Sequence, residues 1–300
     1  MIEYVMLWAA FTVIAAAGQT ARNAMQRELT VTLGTVGATH VRFLFGAPFA
    51  LLFLIGVMLA TGAPLPRPGP IYWPWIADGL LAQIAATALM LAAMNDRSFV
   101  VTIAYIKTEP IQVALFGFVL LGDKVTLPLA IAILVATAGV VVMSLKPGAA
   151  QAGGIKPTVL GLISGGMFGL SAIGYRGAIL TLESVNGFVL SATYTLLVGL
   201  VLQAVLLSAW LALRDPGVLK AIFRAWKPSI FAGFMGAFAS QFWFLAFAIA
   251  TAASVRTLAL VEVLFAQGIS KFVFKQPATP RETIGIVLVV AGVVLSIWAH

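Results

Sequence analysis

The chain alternates between long apolar runs and short polar breaks. An α-helix that crosses a bilayer needs about 20 mostly apolar residues, and ten runs of roughly this length can be marked out. They cover residues 4–21, 43–63, 73–94, 98–121, 125–145, 157–175, 184–213, 228–250, 252–274 and 283–300. The pattern predicts an all-α integral membrane protein with ten transmembrane helices. The first run is expected to be a retained helix, since only Glu3 precedes it and no basic start marks a signal peptide.

Composition gives the same answer. Hydrophobic residues make up 61% of the chain, charged residues only 9%, and the mean hydropathy is +1.06. A soluble domain carries about 25% charged residues, so a water-soluble fold is excluded. The chain has no cysteine, which excludes cysteine metal sites and thiol catalysis. We expect no metal and no cofactor.

A duplication is visible in the order of the runs. Small residues around position 150 read as a linker and divide ten runs into five and five. We therefore predict a first five-helix repeat at 1–147, a linker at 148–156 and a second five-helix repeat at 157–300. Placing residues 98–144 on 251–297 needs no gap and brings Glu109 onto Glu262. An odd number of crossings turns the second copy over, which predicts two inverted repeats around a central cavity.

The fourth and fifth runs carry a family resemblance. They read TEPIQVALFGFVLLGDKVTLPLAIAILVATAGVVV, with a Glu-Pro pair, a Gly-acidic helix end and a Gly-rich following helix. In these features the chain resembles the drug/metabolite transporter superfamily, specifically its EamA-type ten-helix exporters. The second half departs from the pattern, with Val263 in place of Pro110 and Gln276 in place of Asp123.

The resemblance implies a secondary transporter that works by alternating access. Similar members export amino acids, including aromatic ones, or similar small metabolites across the bacterial inner membrane. Other branches of the superfamily imply the alternative, a carrier of nucleotide sugars, sugar phosphates or drugs. The expected partners are a small-molecule substrate and membrane lipid, without nucleic acid, and the chain is expected to be a monomer or a weak homo-oligomer.

Competing classes find little support in the motifs. No Gly-x-x-x-x-Gly-Lys-Ser/Thr phosphate loop occurs, so this chain cannot hydrolyse ATP by that route. Two histidines and the lack of His-Glu-x-x-His or Gly-x-Ser-x-Gly patterns disfavour a membrane-embedded enzyme. We expect no enzymatic activity.

The predicted substrate cavity centres on Glu109 in the fourth run. Helical spacing places Tyr105 and Gln112 on the same side, and this stripe suits an amino-acid-sized ligand. The alternative is a structural carboxylate paired with Arg42 or Lys107. Gln19 and Trp243 complete the predicted lining, with a solvated helix end as the alternative for Gln19 and helix packing as the alternative for Trp243.

A second group of residues is predicted to carry buried charge or coupling, because ionisable groups at membrane depth are costly and often functional. Lys107 lies two residues from Glu109 and is expected on the far side of the helix, where it reaches either substrate or a distant carboxylate. Glu262 is expected to pair with an arginine. The rest of the group comprises Arg42 and Arg256, which either bind a carboxylate or extend to the interface, and His40, interpreted as an ordinary hydrogen-bonding residue.

Orientation stays open. The resemblance implies cytoplasmic termini, which leaves four basic residues on the cytoplasmic side: Arg67, Lys124, Arg176 and Arg256. Most of the other Lys and Arg residues would then lie on the opposite side, against the positive-inside rule. The net charge of +8 therefore argues for the reverse placement.

Overall fold

The computed structural model describes residues 2–96, 105–144, 156–265 and 279–299, and within these ranges every regular element is helical. In chain order they are α1 Ile2–Leu44, α2 Ala47–Thr61, α3 Tyr72–Asp96, α4 Glu109–Phe116 with a π-helical end Gly117–Leu121, α5 Leu127–Ser144, α6 Lys156–Asn186, α7 Phe188–Arg214, α8 Pro216–Arg224, α9 Trp226–Ile249, α10 Ala252–Leu258 with a 3₁₀ end Ala259–Val261, and α11 Pro280–Trp298. The all-α prediction is confirmed. The predicted linker lies outside the described residues except for its last position.

Six segments of the described chain are long and apolar enough to cross a membrane: Leu7–Thr61, Tyr72–Ala93, Thr158–Glu183, Phe188–Arg214, Trp226–Ile249 and Pro280–Trp298. Two shorter apolar helical segments, Glu109–Leu121 and Leu127–Met143, lie between them in sequence. These lengths fit a multi-pass membrane protein. The count of ten crossings stays a prediction, because the fourth and ninth predicted spans are only partly described.

The first apolar segment is too long for a single crossing. A straight helix of its 55 residues would extend about 80 Å, against a hydrocarbon core of about 30 Å. Gly34 adopts φ 68° and ψ 176°, a backbone conformation essentially restricted to glycine. The Gln26 amide donates to the Ala38 carbonyl at 3.0 Å, whereas a straight helix would separate these residues by about 18 Å. The segment is therefore a hairpin that reverses at Gly34.

This hairpin corrects the first two predicted spans. The predicted break between residues 21 and 43 is helical on both sides of Gly34. Three of its polar side chains, those of Arg22, Asn23 and Gln26, are buried inside the bundle, whereas those of Arg27 and Glu28 are exposed.

The long helices pack in a small set of pairs. α1 packs along α9, α3 along α6 and α5 along α11, while α2 contacts α7 and α4 contacts α10. Small residues let the backbones meet. A methyl group added to Gly139 would lie 2.8 Å from the Gly285 carbonyl oxygen, and one added to Gly285 would lie 2.7 Å from the Gly139 carbonyl oxygen. The α5 and α11 backbones are therefore in direct contact at this seam.

Candidate functional site

The fourth predicted span is broken just before its glutamate. Lys107 and Thr108 form a turn, and α4 begins at Glu109. Pro110 has no N–H to donate and its ring disfavours a continuous helix, while the Ile111 N–H donates to the Thr108 carbonyl at 3.2 Å. Lys107 and Glu109 are each only 5% exposed and both line the same cavity. The prediction that Lys107 lies on the far side of the helix from Glu109 is wrong, because no regular helix connects them.

Two buried ion pairs join the region of α4 to that of α10. Arg256 Nε lies 3.0 Å from Glu109 Oε1, an ion pair without hydrogen-bond alignment. Lys107 pairs with the carboxylate of Glu262, just beyond the 3₁₀ end of α10. Each side therefore supplies one cation and one carboxylate. The predicted partners of both glutamates are corrected: Glu109 binds neither Arg42 nor Lys107, and Glu262 pairs with a lysine instead of an arginine.

An aromatic and amide wall adjoins these pairs. The Arg256 guanidinium carbon lies 4.5 Å from the centre of the Trp243 ring, a cation–π geometry. Trp243 Nε1 donates to Gln19 Oε1 at 3.1 Å, and Gln19 Nε2 donates to Glu262 Oε2 at 3.3 Å. One continuous network therefore joins α1, α9 and the charged residues, so that Gln19, Glu109 and Trp243 come together as the sequence predicted.

The network borders two narrow cavities of about 10 Å³ each, with room for about one water molecule. The first is lined by Gln19, Arg22, Asn23, Met90, Ile106, Lys107, Glu109, Phe168, Arg256 and Glu262. The second is lined by Gln19, Arg42, Gln83, Phe168, Ser171, Ala172, Tyr175, Ser240, Trp243, Phe244, Phe247 and Arg256. Ligand pockets for small molecules measure about 300 Å³ or more. As lined by the described residues, neither of these two cavities has room for a metabolite.

Two residues predicted in the cavity lie elsewhere. A methyl group on Gly161 of α6 would come within 2.7 Å of Tyr105 Cβ, so that Tyr105 packs on this glycine. Gln112 Nε2 lies 3.4 Å from the Leu162 carbonyl and donates to it. Neither residue lines the two cavities. The helical spacing that placed Tyr105 beside Glu109 spans the break, and Gln112 turns towards α6.

Two arginines from the α1 hairpin are buried inside the bundle. Arg42 is 2% exposed and donates from Nη1 to Thr87 Oγ1 at 3.4 Å and from Nη2 to Ser240 Oγ at 3.3 Å. Arg22 is 1% exposed and donates from Nε and Nη2 to Asn23 Oδ1, at 3.2 and 2.7 Å. Arg42 and Arg256 are both buried, so neither extends to the interface, which corrects that interpretation of the two residues.

Several cavity residues were missed by sequence reasoning. Tyr175 Oη donates to Gln83 Oε1 at 3.1 Å, and both residues line the second cavity. Thr87, the partner of Arg42, was also missed. Gln83 carried a usable signal, because it is a lone amide in the apolar third run. Tyr175 and Thr87 carried none, since both residue types are common in transmembrane helices for other reasons.

His40 lies apart from the charged network. Its Nε2 is 2.9 Å from Ser208 Oγ on α7, and it lines neither cavity. This contact is the ordinary hydrogen bond expected from the sequence.

A further ion pair ties the end of α4 to two other helices. Gly122, with φ 69°, ends the π-helical segment, and Asp123 follows it. Arg176 of α6 places Nη1 3.3 Å from Asp123 Oδ1, and its Nε donates to the Ala250 carbonyl at the end of α9 at 2.9 Å. One arginine therefore connects the ends of α4 and α9 to α6.

These features define a class: an all-α protein whose described helices include six that are long and apolar enough to cross a membrane, packed around buried charges. No known family model and no curated protein matches the chain. A solved structure described as "Crystal structure of protein" is similar with a TM-score of 0.69, covering 97% of this chain and 96% of that one, at 13% identity. At this identity the likeness establishes the fold alone, over essentially the full length.

Proposed function

We propose that this chain is a secondary transporter that exports amino acids or similar small metabolites across the bacterial inner membrane by alternating access. The observation that carries the proposal is the pair of buried ion pairs between α4 and α10. Charges at membrane depth cost several kcal/mol and mark substrate or ion pathways. Here they lie beside a ring-and-amide wall, in cavities enclosed by helices from both halves of the sequence.

The helix pairing supports ten crossings in two repeats. If the two arms of the α1 hairpin, with α2 continuing the second arm, are the first and second crossings, α9, α10 and α11 become the eighth, ninth and tenth. The first arm then packs on the eighth crossing, as Gly18 does on Ala239, and the third packs on the sixth. Exchanging the two halves of the chain turns the first crossing into the sixth and the eighth into the third, so the pair one–eight becomes the pair three–six. The pairs two–seven, four–nine and five–ten stay the same under this exchange.

That exchange is the contact pattern of two five-helix units related by a two-fold axis. Units with an odd number of crossings are inverted relative to each other, and in inverted-repeat transporters the substrate site lies between them near the bilayer midplane. The proposal therefore assigns residues 1–147 and 157–300 to the two repeats and 148–156 to the linker.

Membership of the drug/metabolite transporter superfamily, EamA type, is part of the proposal. Two of the quoted sequence features fall at breaks in regular structure: the Glu109–Pro110 pair starts α4, and Gly122–Asp123 ends its π-helical segment. Broken helices that expose backbone and charge to an internal cavity recur in transporters.

Alternating access accounts for the closed cavities. The site has no room for a metabolite in this conformation, so binding requires one end of the bundle to open. The Arg176 contacts to Asp123 and to Ala250 hold α4, α6 and α9 together at one end. We assign these contacts to the gate that separates when that end opens.

Transport in proteoliposomes tests the proposal. Purified protein is reconstituted and exchange is measured for a panel of amino acids, organic acids, sugar phosphates, nucleotide sugars and cationic drugs. We expect saturable transport of at least one small metabolite, lost in Glu109→Gln and retained in Glu28→Gln, the same change at an exposed residue. Folded protein that transports no member of the panel would overturn the proposal, and transport of nucleotide sugars alone would favour that branch of the superfamily.

A further inference from the structure

Cations outnumber carboxylates inside the bundle. Four cationic side chains line the two cavities, namely Arg22, Arg42, Lys107 and Arg256, against two carboxylates, Glu109 and Glu262. Both carboxylates are already in ion pairs with Arg256 and Lys107. Arg22 and Arg42 therefore leave an excess of two positive charges.

The remaining acidic side chains that the structure describes give Arg22 and Arg42 no ion-pair partner. The chain has ten Asp and Glu residues. Asp123 pairs with Arg176, Asp215 and Glu282 cap helices, Glu28 is exposed, and Asp78 and Glu183 are partly exposed. Among the side chains that the structure describes, no carboxylate forms an ion pair with Arg22 or Arg42. Buried charges are ordinarily paired, so this excess needs an explanation.

The two arginines meet at a single glycine. A methyl group on Gly236 of α9 would lie 3.1 Å from Arg42 Cγ and 3.6 Å from Arg22 Cδ, so both side chains run across the space that this glycine leaves. Two like charges repel strongly in an interior of low dielectric constant. Arg22 Nη1 and Arg42 Nε also have no hydrogen-bond partner, although both are shielded from solvent.

We propose that Arg22 and Arg42 bind the acidic group of the transported substrate, and that this substrate is an anion with a carboxylate or phosphate group. The inference rests on the proposed transport function and narrows its substrate class to anionic metabolites, which excludes the zwitterionic amino acids from that class. The planar guanidinium fork matches both kinds of oxyanion. An excess of two positive charges matches a dicarboxylate or a phosphate monoester, whereas a zwitterionic amino acid would leave the excess uncompensated.

Anion binding can be measured on the detergent-solubilised protein without any transport assay. Succinate and inorganic phosphate serve as probes, and dimethyl succinate, with sodium chloride added to equal ionic strength, serves as the neutral control. We expect at least one anion to raise the midpoint of thermal unfolding and the ester to leave it unchanged. Arg22→Gln and Arg42→Gln should each weaken the anion effect at least tenfold in concentration, since a charged hydrogen bond contributes about 1.5–3 kcal/mol. Arg224→Gln, at an exposed arginine, should not.

The ligand-free proteins separate an anion site from a structural role. Removing an uncompensated buried charge should leave the unfolding midpoint of Arg42→Gln unchanged or higher, whereas a structural arginine predicts a lower one. If the glutamine variants do not fold, Arg22→Lys and Arg42→Lys keep the charge and lose the fork, and they should bind the anion more weakly than the parent. Equal anion stabilisation in all variants, or none in the parent, overturns the inference.

Transport distinguishes the failure of this inference from failure of the proposed function. Saturable transport of zwitterionic or neutral compounds without competition by anions would leave the transporter standing and remove the anion assignment. Anion binding that depends on Arg22 and Arg42, without transport of any compound, would support the anion site and overturn the proposed transport function.

Discussion

Replacing Glu109 by glutamine should destabilise the protein more than replacing Glu109 and Arg256 together. The single change leaves the Arg256 guanidinium buried without a countercharge, whereas the double change Glu109→Gln/Arg256→Gln removes both charges. Removing one partner of a buried ion pair should therefore lower stability more than removing both partners.

The magnitude follows from burial and from what Arg256 retains. The paired side chains are 6% and 8% exposed, so the range for breaking a buried pair applies, about 3–5 kcal/mol. Arg256 keeps its position 4.5 Å from the Trp243 ring centre, which offsets about 1–2 kcal/mol when desolvated. We expect a loss of about 3 kcal/mol for Glu109→Gln and about 1 kcal/mol for the double variant.

A double-mutant cycle measures this difference. The free energy of unfolding is obtained in mixed micelles, by circular dichroism, for the parent, Glu109→Gln, Arg256→Gln and the double variant. The expected coupling energy between Glu109 and Arg256 is at least about 2 kcal/mol. Glu28→Gln, at an exposed site, should change stability by less than about 0.5 kcal/mol.

Additivity would refute the reasoning. If the two single effects sum to the double effect within about 0.5 kcal/mol, the residues act as independent sites. The ion pair would then contribute nothing specific, and the site built around it would lose its main support.

Two further predictions concern the hairpin and the gate. Gly34→Ala should lower the free energy of unfolding by about 1–3 kcal/mol, because the φ and ψ of Gly34 are essentially restricted to glycine. The control Gly56→Ala, in open helical surroundings, should be neutral or stabilising. Equal effects of the two changes would contradict a strained reversal at Gly34. Arg176→Gln should open one end of the bundle and so speed the maleimide labelling of a cysteine placed at buried Ser171 in this cysteine-free chain. The control Arg67→Gln, at an exposed arginine, should not change the labelling rate. An unchanged rate in Arg176→Gln would contradict the assignment of the Arg176 contacts to a gate.

Helix content and the two central glutamates were accessible to sequence reasoning. Apolar runs of membrane length are a property of composition, which survives errors of several residues in each boundary. Glu109 and Glu262 stood out because charge is rare in such runs. Their partners were not predictable, since helical spacing says which residues share a face of one helix and says nothing about the helix opposite.

Local breaks explain most of the remaining errors. Regular helical spacing does not extend across the turn at residues 107–108, so Tyr105 and Lys107 were placed wrongly relative to Glu109. The polar stretch between the first two predicted spans includes Arg22 and Arg42, and the apolar pattern did not show that these two side chains are buried. Their burial follows from the reversal at Gly34, which folds both arms of α1 into the bundle, and a single glycine among 28 gives no warning of that role.

The glycine seam between α5 and α11 has a mechanical consequence. Where two backbones are in direct contact, as at Gly139 and Gly285, no side chains separate the two helices. Rotation of either helix would therefore bring its own side chains into steric conflict with the other helix. We therefore expect α5 and α11 to move together as one rigid pair. Any conformational change of the bundle would then occur mainly at α4 and α10, whose helices are interrupted beside the buried ion pairs.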